Sequence, residues 1–195
     1  MTTIDILETL KSTNALLEGH FLYASGRHGA MYIEKFNLRR NPEATSEACR
    51  GFADRFREER VDVVVGPTTG GILLAFEIAR QLGISSAYAE RASEGASGRE
   101  IRRNTTFKPG SRVLVVDDIM TTGGSIRETL TALEAHPVEI VAVAVLVDRS
   151  GGTITFGDVP VFALASQTFE SWAADDLPEW LAAIPITRPG TTSVV

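Results

Sequence analysis

The stretch from Val113 to Ser125 constrains the fold more than any other part of the chain; it reads Val-Leu-Val-Val-Asp-Asp-Ile-Met-Thr-Thr-Gly-Gly-Ser. Four consecutive apolar residues, 113–116, three of them β-branched, predict a strand buried on both faces, the kind found in parallel sheets. The acids Asp117 and Asp118 come next, and hydroxyl and glycine residues then open a helical pattern carried by Ile126, Leu130 and Leu133. A Thr/Gly-rich turn entering a helix presents backbone N–H groups and hydroxyls, which suits a phosphate. Carboxylates beside a phosphate repel it unless they face a different part of the ligand. A sugar diol, alone or sharing Mg²⁺, resolves that conflict, with the acids accepting from hydroxyls while the loop holds the phosphate. The ligand class this predicts is a sugar phosphate.

Two familiar phosphate sites are excluded by spelling. The chain contains no G-x-x-x-x-G-K-[ST], so nothing supplies the lysine of a Walker A loop, and it contains no G-x-G-x-x-G dinucleotide fingerprint. An acid pair after a strand also suits a receiver domain, but such domains begin with that strand, and too little chain follows Val113 to complete one.

The remaining pattern alternates in the α/β manner. Apolar spacing predicts a first helix over 4–17, then short strands over 21–24 and 31–33 around the turn Ser25-Gly26-Arg27-His28-Gly29. Asn41-Pro42-Glu43 is a helix start, with a capping side chain, a first-turn proline and an early acid, and that helix is expected to run to about Glu59. A buried strand over 61–65, a helix over 72–82 closed by Gly83, and a strand over 86–89 follow. Residues 91–109 show no periodicity; a long apolar strand covers 139–147, ending at Asp148-Arg149. The tail offers one strand near 161–164 and a short helix near 175–181. Three loops, 66–71, 117–125 and 148–152, therefore leave carboxyl ends of strands, the edge where open parallel sheets bind ligands. The first, Gly-Pro-Thr-Thr-Gly-Gly, could hold a second phosphate group, as a sugar phosphorylated at both ends requires.

Composition limits the alternatives. A chain of 195 residues suits one domain with a substantial core. With 19 basic and 25 acidic residues it is mildly acidic, which argues against a nucleic-acid coat. Its single cysteine, Cys49, allows no internal disulfide and lies in an amphipathic pattern with Phe52 and Phe56, as a buried structural thiol would. No apolar run reaches the roughly 18 residues of a membrane span, and the N-terminus lacks a basic flank, so a soluble cytoplasmic protein is expected. His20, His28 and His136 have no metal-ligand spacing, and Phe169, Trp172 and Trp180 read as packing or dimer contacts.

The stretch 113–125 resembles the binding motif of type I phosphoribosyltransferases for 5-phosphoribosyl 1-pyrophosphate (PRPP). The segment from Leu16-Leu17-Glu18-Gly19-His20 to Arg27-His28 is similar to the N-terminal signature of orotate phosphoribosyltransferases. So is the order of the later pieces: 66–71, Ala89-Glu90-Arg91, Pro109-Gly110, the motif itself, and Val147-Asp148-Arg149-Ser150-Gly151-Gly152. The resemblance covers roughly residues 10–165. It implies an α/β fold, a single phosphoribosyltransferase domain over 1–195 with a Rossmann-like parallel-sheet core (60–165), helices on both faces, and a small N-terminal hood over 1–40. It also implies transfer of phosphoribosyl from PRPP to orotate, giving orotidine 5′-monophosphate and pyrophosphate in pyrimidine (UMP) biosynthesis, with Mg²⁺, by a homodimer.

The implied roles follow the matching positions. Asp117 and Asp118 hold ribose hydroxyls and lie near a Mg²⁺ held mainly through PRPP; Thr121, Thr122, Gly123, Gly124 and Ser125 form the 5′-phosphate loop. Thr69 and Gly70 belong to the pyrophosphate loop, and Arg91 is a basic PRPP-binding position. Tyr32, Ile33, Thr121 and Arg149 bind orotate, a guanidinium being well matched to a planar carboxylate; the plain alternative for Arg149 is a surface ion pair with Asp148. The chain departs from the family in two places. Ala24 stands where many members carry lysine, and the loop before the motif strand holds Arg99, Arg102 and Arg103 but no lysine before Lys108 and no histidine. These arginines are expected to be catalytic through charge alone, since guanidinium stays protonated. The departures leave open a phosphoribosyltransferase for another base, or a PRPP-binding regulator without turnover.

Overall fold

The computed structural model describes residues 5–93 and 97–188. Its elements, in chain order, are α1 (Ile6–Ser12), β1 (Leu16–Leu22), β2 (His28–Ile33), α2 (Lys35–Arg39), α3 (Pro42–Phe56), β3 (Val63–Pro67), α4 (Gly70–Leu82), β4 (Ser85–Arg91), β5 (Arg99–Ile101) and β6 (Ser111–Met120), then α5 (Gly124–Leu133), β7 (Val138–Asp148), β8 (Val161–Ser166), β9 (Ser171–Trp172), α6 (Glu179–Ala182) and β10 (Ile186–Thr187). They divide into two units, one built on residues 45–167 and the other on 5–44 together with 168 onward.

The first unit is a six-stranded sheet in the order β5-β4-β3-β6-β7-β8. All its pairings are parallel except β4 with β5. β6 is its centre: every residue from Val113 to Asp118 is buried, as an apolar run with no alternation requires. Helices cover both faces. Val65, Val113, Val115, Val143 and Val145 pack with Ile126 and Leu133 of α5. The opposite face carries Phe162 of β8, whose ring meets Phe52 and Phe56 of α3 edge-on at centroid distances of 6.2 and 5.7 Å.

Strand order places a switch point between β3 and β6. From β3 the chain crosses through α4 to β4 on one side, while β6 leads to β7 and β8 on the other. The β3–β6 pairing stops at Val65↔Val115, yet β3 continues beside β4 to Pro67 and β6 beside β7 to Met120. The carboxyl ends of the two strands thus part, which opens the crevice that doubly wound sheets use for ligands.

The second unit is a four-stranded sheet, β10-β1-β2-β9, fed by both ends of the chain. A hydrogen-bonded pair of imidazoles ties these pieces together. His20 Nδ1 lies 3.0 Å from the Ile184 carbonyl, an acceptor only, so this nitrogen donates, and His20 Nε2 shares a hydrogen bond with His28 Nδ1 at 2.7 Å. The rings of Trp172 and Trp180 meet edge-on at 5.9 Å in the same unit.

Several expected boundaries moved. The helix expected over 4–17 starts outside the described residues, is helical over Ile6–Ser12 only, and gives way to β1 because Leu16–Leu22 pairs with β2 and β10. Long-range pairing overrode a helical apolar spacing there. The structure adds α2, β5, β9 and β10, each of five residues or fewer, too short for periodicity to register. The acid pair lies within β6 rather than after it.

Cys49 is fully buried on α3, and burial, reinforced by the charge of Glu77, pushes its thiol up to about 12. Iodoacetamide at pH 8 is therefore expected to leave it unlabelled in native protein and to label it once urea unfolds the chain. Glu77 of α4 accepts from Ser46 Oγ at 2.6 Å, from Gln81 Nε2 at 2.7 Å and from Arg80, and the Arg80 bond chiefly holds its carboxyl down to about 2. Since its folded pKa lies below its ordinary 4.5, its contribution is present above that pH and fades as pH falls toward 2. Glu77→Gln is expected to lower Tm at pH 7, with the gap to the unaltered protein closing between pH 4.5 and 2.

Candidate active site

The loop after β3 is shaped by glycine. Gly66 and Gly71 approach so closely that a Cβ on Gly66 would lie 2.1 Å from the Gly71 carbonyl oxygen, so only a bare backbone lets 66–71 fold back on itself. The Thr68 N–H donates to the Ala89 carbonyl at 2.9 Å, and the Thr68–Thr69 peptide is cis. Thr69 stands at the N-cap of α4 without making a side-chain capping bond, so Gly70 and the residues after it open the helix with backbone N–H groups directed along its axis. Thr69 is exposed beside them.

Across the crevice, Asp117, Thr121, Thr122, Gly123, Gly124 and Ser125 line a cavity of about 150 Å³ at the end of β6. Gly123 caps α5 at φ 73°, where a side chain would strike Ile154 Cγ2 at 2.8 Å. Thr121, Thr122, Gly124 and Ser125 are exposed, which leaves hydroxyls and helix-initiating N–H groups accessible to an anion. Consecutive strand residues take opposite faces, and accordingly Asp117 lines this cavity while Asp118 is not among its walls. Asp117 Oδ1 accepts from the Asp118 N–H at 2.9 Å, and Asp118 Oδ1 accepts from the Ile119 N–H at 2.8 Å. Both carboxylates are almost fully buried, at 8% and 3% exposure.

The third loop joins the same edge. The Arg149 N–H donates to the Met120 carbonyl at 2.8 Å, bringing Arg149 to the start of the loop that begins at Thr121. Asp148 is 5% exposed, and its carboxylate accepts from the N–H groups of Ser150 and Gly152. That acid holds a turn instead of serving as half of a surface pair.

Comparison with known proteins agrees with this geometry. Residues 37–173 match the phosphoribosyl transferase domain family. An orotate phosphoribosyltransferase of Bartonella quintana is 42% identical over the full length of both chains, and one from a Methylobacterium species is 42% identical over 98% of this chain and 97% of its own. The chain belongs to the orotate phosphoribosyltransferase family. In three dimensions it is similar to the orotate phosphoribosyltransferase of Aeropyrum pernix, with a TM-score of 0.71 and 28% identity over 83% of this chain and 93% of that one.

Within this family member, the arginines before the motif strand are not three equivalent loop cations. Glu94, Gly95 and Ala96 of that loop lie outside the described residues. Arg99 opens β5 and its side chain is only 3% exposed. Arg102 is half-buried and Arg103 exposed, and both are engaged with carboxylates, Arg102 with Glu100 at 2.8 Å and Arg103 with Glu90 at 2.9 Å, weak pairs that solvent screens. Arg91 ends β4, exposed and opposite Arg99 in the ladder. In the second unit, Ile33 is buried at 4% exposure and the half-buried ring of Tyr32 lies 5.7 Å from that of Phe21. Sequence reasoning missed Thr68 and Glu128 as partners of Arg99, because they are distant from it in sequence and no spacing rule links them.

Gly66→Ala is expected to cost about 1–3 kcal/mol or more by overpacking and to abolish PRPP binding, measured by thermal unfolding and by calorimetric titration with PRPP.

Proposed function

We propose that this chain transfers the phosphoribosyl group of PRPP to orotate, yielding orotidine 5′-monophosphate and pyrophosphate in pyrimidine (UMP) biosynthesis. The observation that carries the proposal is the pair of glycine-built, helix-initiating loops flanking the β3–β6 crevice with an acid pair beside them. That arrangement suits a sugar bearing an anion at each end, and full-length relatives bearing the orotate name favour that base over another and turnover over mere PRPP binding.

In this reading Thr121, Thr122, Gly123, Gly124 and Ser125 hold the 5′-phosphate, Asp117 and Asp118 accept from the ribose hydroxyls, and Thr69, Gly70 and Arg91 receive the pyrophosphate. Tyr32, Ile33, Thr121 and Arg149 position orotate, Arg149 through its carboxylate. The bond from the anomeric carbon to the pyrophosphate oxygen breaks and its electron pair leaves with pyrophosphate. The orotate ring nitrogen forms the new bond to that carbon and gives up its proton to solvent or to the leaving group. Positive charge develops on the sugar as this happens, so orientation and electrostatics carry most of the rate. Arg91, Arg102 and Arg103 contribute charge toward the leaving group but no proton.

Among the described residues no group of three or more His, Cys, Asp or Glu side chains could cage a metal ion. In this reading Mg²⁺ would be held mainly through PRPP, near Asp117 and Asp118, whose hard oxygens suit that ion. When bound, Mg²⁺ offsets the charge of the departing pyrophosphate. A homodimer is part of the same reading, supported by Leu73 and Phe76, 47% and 61% exposed one turn apart on α4. No helix among the described residues is long and apolar enough to cross a membrane.

Loss of orotate absorbance with PRPP and Mg²⁺, beside uracil and purine controls, tests the activity. Turnover is expected with orotate and with neither control. Combining Asp118→Asn with Arg149→Ala is expected to lower it at least about a hundredfold; full activity in that variant would refute the site.

A further inference from the structure

Burying a guanidinium costs free energy unless its N–H groups find partners, so the partners of a buried arginine indicate what it is there to hold. Arg99 Nη1 donates to Thr68 Oγ1 at 2.9 Å and to the Ala89 carbonyl at 3.1 Å, while its Nε lies 3.2 Å from Glu128 Oε2. These partners belong to different pieces of the crevice. Thr68 sits in the loop between β3 and α4, Ala89 in β4, and Glu128 in the second turn of α5, the helix that Gly124 and Ser125 initiate. One side chain therefore links the loop 66–71 to α5, the helix that the other loop initiates. A lysine, with a single ammonium, cannot fork in this way. With 3% of its side chain exposed, Arg99 is sealed from the crevice and can act on a ligand only through the groups it holds.

We propose that Arg99 is a positioning residue: through Thr68 and Glu128 it fixes the loop 66–71 against helix α5, and so sets the separation of two anion sites for a ligand phosphorylated at both ends. The inference rests on reading 66–71 as the pyrophosphate loop. A loose brace would let that loop drift from its partner, so the ligand that senses both sites suffers while the base does not. Glu128 is 39% exposed and keeps its hydration when Arg99 is removed, which favours a folded variant.

The test compares Arg99→Met, Arg99→Lys, Thr68→Val and the double variant R99M/T68V by calorimetric binding of Mg²⁺-pyrophosphate and by KM for PRPP and for orotate. R99M is expected to weaken pyrophosphate and to raise the PRPP KM roughly tenfold or more, the scale of one charged hydrogen bond, with orotate KM unchanged. R99K should recover only part of the loss. T68V should match R99M, and the double variant should be no worse than either, since both cut one linkage. Additive losses would mean that Arg99 meets pyrophosphate by itself, and unchanged affinity in folded R99M would mean that it braces nothing; each overturns the proposal. Should R99M fail to fold, full pyrophosphate affinity in T68V overturns it equally. Gly70→Ala separates the two readings. If it leaves pyrophosphate binding intact, the loop assignment falls and the brace with it; if it weakens binding while R99M does not, the brace alone falls.

Discussion

The separation of β3 from β6 beyond Val65 and Val115 is the constraint on which the site depends. Up to that register the two strands are ordinary neighbours in a parallel sheet, buried on both faces by α3 and α5 side chains. Past it, each strand keeps its other partner, and the gap between their ends cannot be filled by a ladder. Backbone polar groups at such a gap need partners. Loops that turn immediately into α4 and α5 meet that need for some groups and leave the helix-initiating N–H groups turned toward the crevice. The placement of these N–H groups follows from topology, and the side chains refine it.

Glycine and buried charge then fix the loops. Gly66 and Gly71 allow backbone against backbone, and Gly123 allows a left-handed cap under Ile154 and Phe156. Asp117, Asp118 and Asp148 are each buried, and each carboxylate accepts backbone N–H groups within four residues of itself. Such acids stiffen the strand ends from which the loops depart. Arg99 extends the same principle across the crevice with a longer reach.

The chemistry at the carboxyl edge was legible in sequence because it is local. Val113 to Val116 declared a doubly buried strand, and the residues that follow declared acids, hydroxyls and a helix start within a few positions of one another. The arginines were less legible. Arg99, Arg102 and Arg103 carry the same charge in one short segment, and composition cannot separate them. What separates them is β5, a strand of three residues whose ladder with β4 turns Arg99 inward. The first helix was overextended for a related reason, as apolar spacing from Leu10 through Leu16 continues into a strand whose partners lie in β2 and β10. The role of residues beyond 168 was hidden because two-residue strands carry no pattern of their own.

The sheet that joins residues 5–44 to the tail has a consequence for synthesis. The ribosome releases β1 and β2 first, but β9 and β10 emerge only after every strand of the other sheet. A lone two-stranded hairpin is marginal in water, so this sheet cannot mature while its flanking strands are still inside the ribosomal tunnel. The contacts that complete it, His20 to Ile184 and Phe21 beside Thr187, span most of the chain and pay the loop-closure entropy of long-range pairing. Every strand of the six-stranded sheet is thus available for pairing before the four-stranded sheet can be completed, although β1 and β2 are made first.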